Sequence, residues 1–183
     1  KRKQYFDIIR NSSLELGRLI ENLLEYSRTG ALQEELATVD TKGLVSSVIQ
    51  LFERELAENG GKIHTDISVA NIKVYPILFK RLLTNLISNS LKYRSERVLE
   101  ISISCMQQSE NILFKIKDNG IGIPEDQHAA IFKIFKTLSH TKDSNGIGLS
   151  VCKKIAELHG GRIWVESDGK SGSTFWIEIN TGV

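Results

Sequence analysis

Only two of the 183 residues are cysteine, and Cys105 and Cys152 fall in a strand-like and a helix-like segment with no CxxC spacing. They read as two reduced thiols rather than as a disulfide staple. Charge of one sign is also missing. The formal net charge is +2 and basic residues are not clustered, so there is no nucleic-acid footprint and no nucleic-acid partner is expected. No apolar run approaches the ~18 residues of a membrane span. No internal repeat, low-complexity segment or signal peptide is visible. The first residue is Lys1, not Met, with a helical pattern already running. We therefore expect a fragment of a longer protein, a cytoplasmic domain whose parent is either cytoplasmic or anchored at the inner membrane.

What is present suits one ordinary globular core: 40% hydrophobic and 25% charged residues. Phe6, Ile9, Ser13, Leu16, Ile20, Leu23 and Ser27 alternate spacings of three and four, the pattern of a coiled-coil or bundle seam, and Gly30 stands where a C-cap glycine belongs. Such a helix needs partner helices, or else lies on the domain that follows. From Leu36 the pattern is mixed. It predicts a strand over 36–39, a helix capped by Asp40 and running to about Glu58, and a strand over 62–68. A helix from Pro76 to about Tyr93 follows, then a hairpin built on Ile101, Ile103 and Cys105 against Ile112, Phe114 and Ile116. A helix over 149–158 and two last strands over 162–166 and 173–179 complete the chain. The expected fold is α+β, a two-layer sandwich of a mixed, mainly antiparallel sheet and helices, with one long helix ahead of it.

Three constellations carry chemistry. In Asn85-Leu86-Ile87-Ser88-Asn89-Ser90-Leu91-Lys92-Tyr93, residues Asn85, Asn89 and Lys92 fall within an arc of roughly 60°, beside the apolar arc of Phe79, Leu83, Leu86 and Ile87. A polar stripe bordering a core face is costly unless something satisfies it. Two amides and an ammonium suit a metal-bound polyphosphate, with Asn89 as a single neutral ligand to Mg²⁺. The plainer readings are a backbone hydrogen bond for Asn85, snorkelling for Lys92 and core packing for Tyr93. The second constellation, Asp118-Asn119-Gly120-Ile121-Gly122-Ile123-Pro124, closes a strand with a carboxylate able to accept from an exocyclic amine such as that of adenine. Its glycines let backbone approach a flat base, although turns and calcium loops use the same residues. Third, Gly146-Ile147-Gly148-Leu149 precedes a helix, where free N–H groups and the dipole favour phosphate. Gly before a helix is also common as plain geometry.

In order and spacing these elements resemble the ATP-binding domain shared by DNA gyrase, heat-shock chaperones and sensor histidine kinases, and most closely the last of these. Asn85 to Tyr93 is similar to the N box, Asp118 to Pro124 to the first glycine box, and Ile131-Phe132-Lys133-Ile134-Phe135 to the phenylalanine box. Gly146 to Leu149 is similar to the second glycine box, and Gly172-Ser173-Thr174-Phe175 to the last glycine motif. Tyr26-Ser27-Arg28 and Cys152-Lys153-Lys154 lean toward the phytochrome-like branch.

The resemblance implies ATP and Mg²⁺ as cofactors, with Asn89 on the metal, Lys92 on phosphate, Asp118 on the adenine amine and Tyr93 near the base. Gly120, Gly122, Ile123, Phe135, Gly146, Ile147, Gly148, Leu149 and Ser173 would complete the site with Asn85. It also implies a mobile lid over 119–145. Residues 1–30 would be the second helix of a dimerisation and phosphotransfer hairpin, with homodimer contacts through 1–29, and 31–183 the catalytic domain. Its partner would be a response-regulator receiver domain. Members that hydrolyse ATP carry a Glu base where this chain has Asn85, which takes no proton at neutral pH; that favours transfer to a protein.

The chain also departs from the pattern. The phosphoacceptor, a His-Glu followed by Pro, is missing, and His64, His128, His140 and His159 lack its context. Ser144 replaces a glycine, Thr137 stands where many relatives place Arg, and Tyr75 precedes Pro76 where an Asp cap is common. The expected activity is that of an ATP-dependent protein-histidine kinase whose acceptor lies outside these residues. The alternatives are a non-catalytic nucleotide-binding dimerisation module and a serine kinase of the anti-sigma-factor type.

Overall fold

Alternation sets the sheet. Ile103 stands opposite Ile116 and Cys105 opposite Phe114, and all four are buried on one face. The structure, a computed structural model, describes residues 34–136 and 146–180, with the isolated positions Tyr5, Phe6, Arg10, Gly17 and Leu24, each helical. The helix expected over 1–30 otherwise lies outside the described residues.

The elements run β1 (Ala37–Asp40), α1 (Thr41–Ile49), a 3₁₀ turn (Gln50–Phe52), α2 (Glu53–Glu58), β2 (Lys62–Ile67), β3 (Asn71–Val74) and α3 (Pro76–Lys92). They continue with β4 (Glu100–Gln108), β5 (Asn111–Asp118), 3₁₀ turns at Glu125–Gln127 and Ala130–Phe132, α4 (Gly148–Leu158), β6 (Arg162–Ser167) and β7 (Ser173–Asn180). Five strands form one sheet in the order β2-β4-β5-β7-β6. Among the described residues only β2 and β4 pair in parallel, so the sheet is mixed and mainly antiparallel as expected. β1 and β3 form a separate antiparallel pair.

α3 covers the sheet. Its Leu78, Phe79, Leu82, Leu83, Leu86, Ile87 and Leu91 are buried, and the Phe79 ring lies 5.0 Å from that of Phe114 on β5. α1 and α4 pack beside it. This is the two-layer sandwich.

Two expectations changed. The helix beginning at Asp40, whose carboxylate accepts from the Gly43 N–H at 2.7 Å, is not continuous to Glu58. The tighter 3₁₀ winding brings Leu56 into the core and leaves Leu51 59% exposed. β3 was not anticipated. Ile72 and Val74 do alternate with exposed neighbours, but four residues are too few for the period to stand out.

Candidate functional site

β5 delivers Asp118 to the sheet's end, where it is 6% exposed. One carboxylate oxygen accepts from the Gly120 N–H at 2.8 Å and the Ser173 N–H at 3.3 Å, and the other from Ser173 Oγ at 2.6 Å. A buried carboxylate requires such partners, and the second oxygen keeps a lone pair for a ligand amine. The first and last glycine motifs therefore meet on one side chain. At Gly172, φ is +112° and a Cβ would lie 2.0 Å from the Asp118 carbonyl oxygen. At Gly122, φ is +78° and a Cβ would meet the Lys170 nitrogen at 2.6 Å. Backbone this close admits only glycine.

Neighbouring groups brace the loop. Asn119 turns away from Asp118: its side chain accepts from the Glu100 N–H at 2.9 Å and donates to the Val98 carbonyl at 2.8 Å. The Tyr93 carbonyl accepts from the Ile121 N–H at 3.0 Å, tying the loop to the end of α3, and passes beside Gly120. Ser167 Oγ accepts from the Ile123 N–H at 2.8 Å and donates to the Gly172 carbonyl at 2.7 Å. Ile123 is buried, and its carbonyl meets His128 Nε2 at 3.0 Å.

The stripe on α3 is half-buried at Asn85, Asn89 and Lys92 beside a fully buried arc. Asn85 donates to the Gly148 carbonyl at 3.3 Å, a backbone bond, but to the start of α4 rather than to a neighbour in sequence. Asn89's amide makes no hydrogen bond, and Lys92 no ion pair, with any described residue. The Lys92 ammonium sits 5.7 Å from the Tyr93 ring centroid. Ile147 is buried, Leu149 packs against the core, and no side chain of the described residues caps α4, so among them its first N–H groups have no side-chain partner. An unpartnered amide oxygen, an ammonium and an uncapped helix start fit a metal-bound polyphosphate.

Phe135 behaves differently. Ile131 is buried and the Phe132 ring meets Phe175 at 6.4 Å, whereas Phe135 is 48% exposed, with φ of 65°. Its N–H donates to the Gly146 carbonyl at 2.9 Å. Thr137, His140, Lys142 and Ser144 lie outside the described residues.

Asp118, Gly120, Gly122, Ile123 and Ser173 thus gather with Tyr93 at one place, Asn85 joins Gly148, and Phe135 joins Gly146. Among the described residues, no side-chain hydrogen bond connects Asn89 or Lys92 to either glycine loop. Sequence reasoning missed Ser167 and Asn119, whose only signals were a polar residue at a strand end and an Asn before glycine. His159 is 1% exposed with both ring nitrogens engaged: Nδ1 with the Ile155 carbonyl at 2.7 Å, and Nε2 accepting from the Tyr75 N–H at 3.0 Å. Burial holds its pKa below 6.5.

Residues 75–182 match the family described as histidine kinase-, DNA gyrase B-, and HSP90-like ATPase. Over 169 residues the chain is 39% identical to Cyanobacterial phytochrome A of Nostoc sp., an alignment spanning 90% of this chain but only 22% of that protein. It superimposes on full-length ShkA in complex with AMPPNP with a TM-score of 0.77 and 25% identity, covering 97% of this chain and 38% of that one. Histidine kinase ThkA in complex with response regulator protein TrrA gives a TM-score of 0.73 and 26% identity, covering 99% and 52%.

Proposed function

The chain belongs to the histidine kinase-, DNA gyrase B- and HSP90-like ATPase family, and from that premise we propose that it holds ATP·Mg²⁺ for transfer of the γ-phosphoryl group to a histidine. The observation that carries this reading is Asp118, buried at the junction of two glycine motifs and fixed there by Gly120 and Ser173.

Asp118 accepts from the adenine amine, with Gly120, Gly122 and Ile123 beneath the base and Tyr93 beside it. Asn89 holds the metal. Lys92 and the N–H groups at Gly148 and Leu149 bind phosphate, with Phe135, Gly146 and Ile147 at the loop that leads there. The bound ion supplies positive charge against the phosphate oxygens. Asn85 supports transfer over hydrolysis: a neutral carboxamide, here donating its NH2 to the Gly148 carbonyl, is no base for an attacking water. His159 has no free ring nitrogen. None of His64, His128, His140 and His159 stands in a His-Glu context, so we assign the acceptor to a helix outside this chain, dimerised through residues 1–29, and the next step to an aspartate on a response-regulator receiver domain. ThkA, solved with such a regulator, supports that partner class.

Titrating ATP with Mg²⁺ into wild type and Asp118→Asn tests the site. Wild type should bind, and the variant should weaken roughly ten- to a hundred-fold, the worth of a charged hydrogen bond. Equal affinities would remove the adenine assignment. Transfer is tested with γ-labelled ATP and an acceptor domain from the phytochrome relative. Label on its histidine supports the kinase, whereas binding without labelling supports a nucleotide-holding signalling module.

A further inference from the structure

α3 starts without a capping residue of its own. Tyr75 stands at its N-cap with no side-chain hydrogen bond, and Pro76 follows at the first helical position. Helix starts normally use Ser, Thr, Asp or Asn, whose oxygen takes the second or third N–H of the helix. Every donor at this end is nonetheless accounted for. The Tyr75 N–H goes to His159 Nε2 at 3.0 Å, Pro76 has none, and the Phe79 N–H begins the helical ladder at the Tyr75 carbonyl. The Ile77 and Leu78 N–H groups both go to Glu34, one to each carboxylate oxygen, at 2.5 and 3.2 Å.

Glu34 lies three residues before β1. The register Ala37 opposite Val74, continued backward, brings residue 34 alongside residue 77, so the small β1–β3 pair carries the carboxylate to the helix start. A negative charge there is also favoured by the helix dipole. The second half of the same helix carries Asn85, Asn89 and Lys92.

We propose that Glu34 is a positioning residue for the nucleotide site: it supplies from the chain entering β1 the cap that α3 lacks, and so fixes α3 to that incoming chain. The positioning half of this proposal rests on the nucleotide site described above; the capping half stands on the hydrogen bonds alone.

The test uses the full 183-residue chain. Amide hydrogen exchange in Glu34→Ala should speed about five-fold at Ile77 and Leu78, the size of a lost cap, and ATP·Mg²⁺ affinity should fall by about half or more. Tyr75→Asp places a local carboxylate at the N-cap, within reach of the same two donors. In that background Glu34→Ala should change exchange by less than about two-fold, because the two caps are redundant. Unchanged exchange in Glu34→Ala, or an equal increase in both backgrounds, overturns the cap. Faster exchange with unaltered affinity overturns the positioning role. A wild type that binds no nucleotide at all removes the nucleotide site, and the positioning role with it, while faster exchange would still establish the cap.

Discussion

Around Asp118 polar atoms are closed onto one another, while along α3 they are left open. The carboxylate holds three hydrogen bonds from Gly120 and Ser173, Ser167 bridges two loops, and Asn119 is pinned to β4. Two turns of α3 away from Asn85, Lys92 has no ion pair with any described residue, and the side chain of Asn89 between them has no hydrogen bond with any. Unpaired polar groups at the border of a core persist when a ligand completes them, whereas a fully bonded cluster sets a shape in advance. Under the function proposed above, the loops are a preformed floor for a base and the stripe a donor set awaiting charge.

The largest expected effect breaks the floor. Gly172→Ala combines a φ of +112° with a Cβ 2.0 Å from the Asp118 carbonyl oxygen, and chemical denaturation should show a loss of more than about 3 kcal/mol. Gly169→Ala is the control. Its φ is +75° but nothing lies closer than 3.5 Å, so only the left-handed backbone is penalised, at about 1 kcal/mol. Equal losses would mean that conformation, not close approach, governs this corner.

On the stripe the effects should reverse. Asn89→Ala removes no hydrogen bond to the described residues, so stability should stay within about 0.5 kcal/mol of wild type. The gain in ATP affinity on adding Mg²⁺ should fall roughly ten-fold, one lost ligand interaction. Titrations with and without the ion check this. A stability loss with the magnesium effect intact would make Asn89 a structural residue.

Legibility followed the same division. The stripe could be read from sequence because 3.6-residue periodicity is local, and the strands at Ile101–Cys105 and Ile112–Ile116 because alternation is local too. The floor was legible only as composition: Asp118 and its glycines stood out, but the Ser173 bond spans 55 residues and the Ser167 bond to Ile123 spans 44. Glu34 left no signal at all, since its role depends on the β1–β3 pairing that a four-residue strand concealed. Resemblance supplied the functional order of the motifs; it did not reveal which side chains hold them.

The far end of α3 gives a pH dependence. His159 is neutral when folded because burial disfavours its charged form, so its folded pKa lies below the ordinary 6.5. The unfolded chain therefore takes up a proton first as pH falls, and stability that is complete above that value is lost progressively below it. Protonation would also set an N–H against the Tyr75 N–H. Urea midpoints should decline as pH falls below 6.5, and the imidazole resonances should show His159 still neutral below its ordinary midpoint. A ring that titrates at its ordinary value would remove this contribution.

The smallest effect separates two kinds of unpartnered polar group. Thr41 is fully buried, its N–H donates to the Ala70 carbonyl at 3.0 Å, and its hydroxyl has no partner. Asn89 is partly exposed, but Thr41 is sealed from any ligand, so its lost hydration goes uncompensated in the folded protein. Thr41→Val keeps the branched shape and deletes the hydroxyl. Denaturation should show a gain of up to about 1 kcal/mol, with ATP affinity unchanged. A loss of stability would mean that the hydroxyl is satisfied by water, and its orphaned state would then no longer be the counterpart of Asn89.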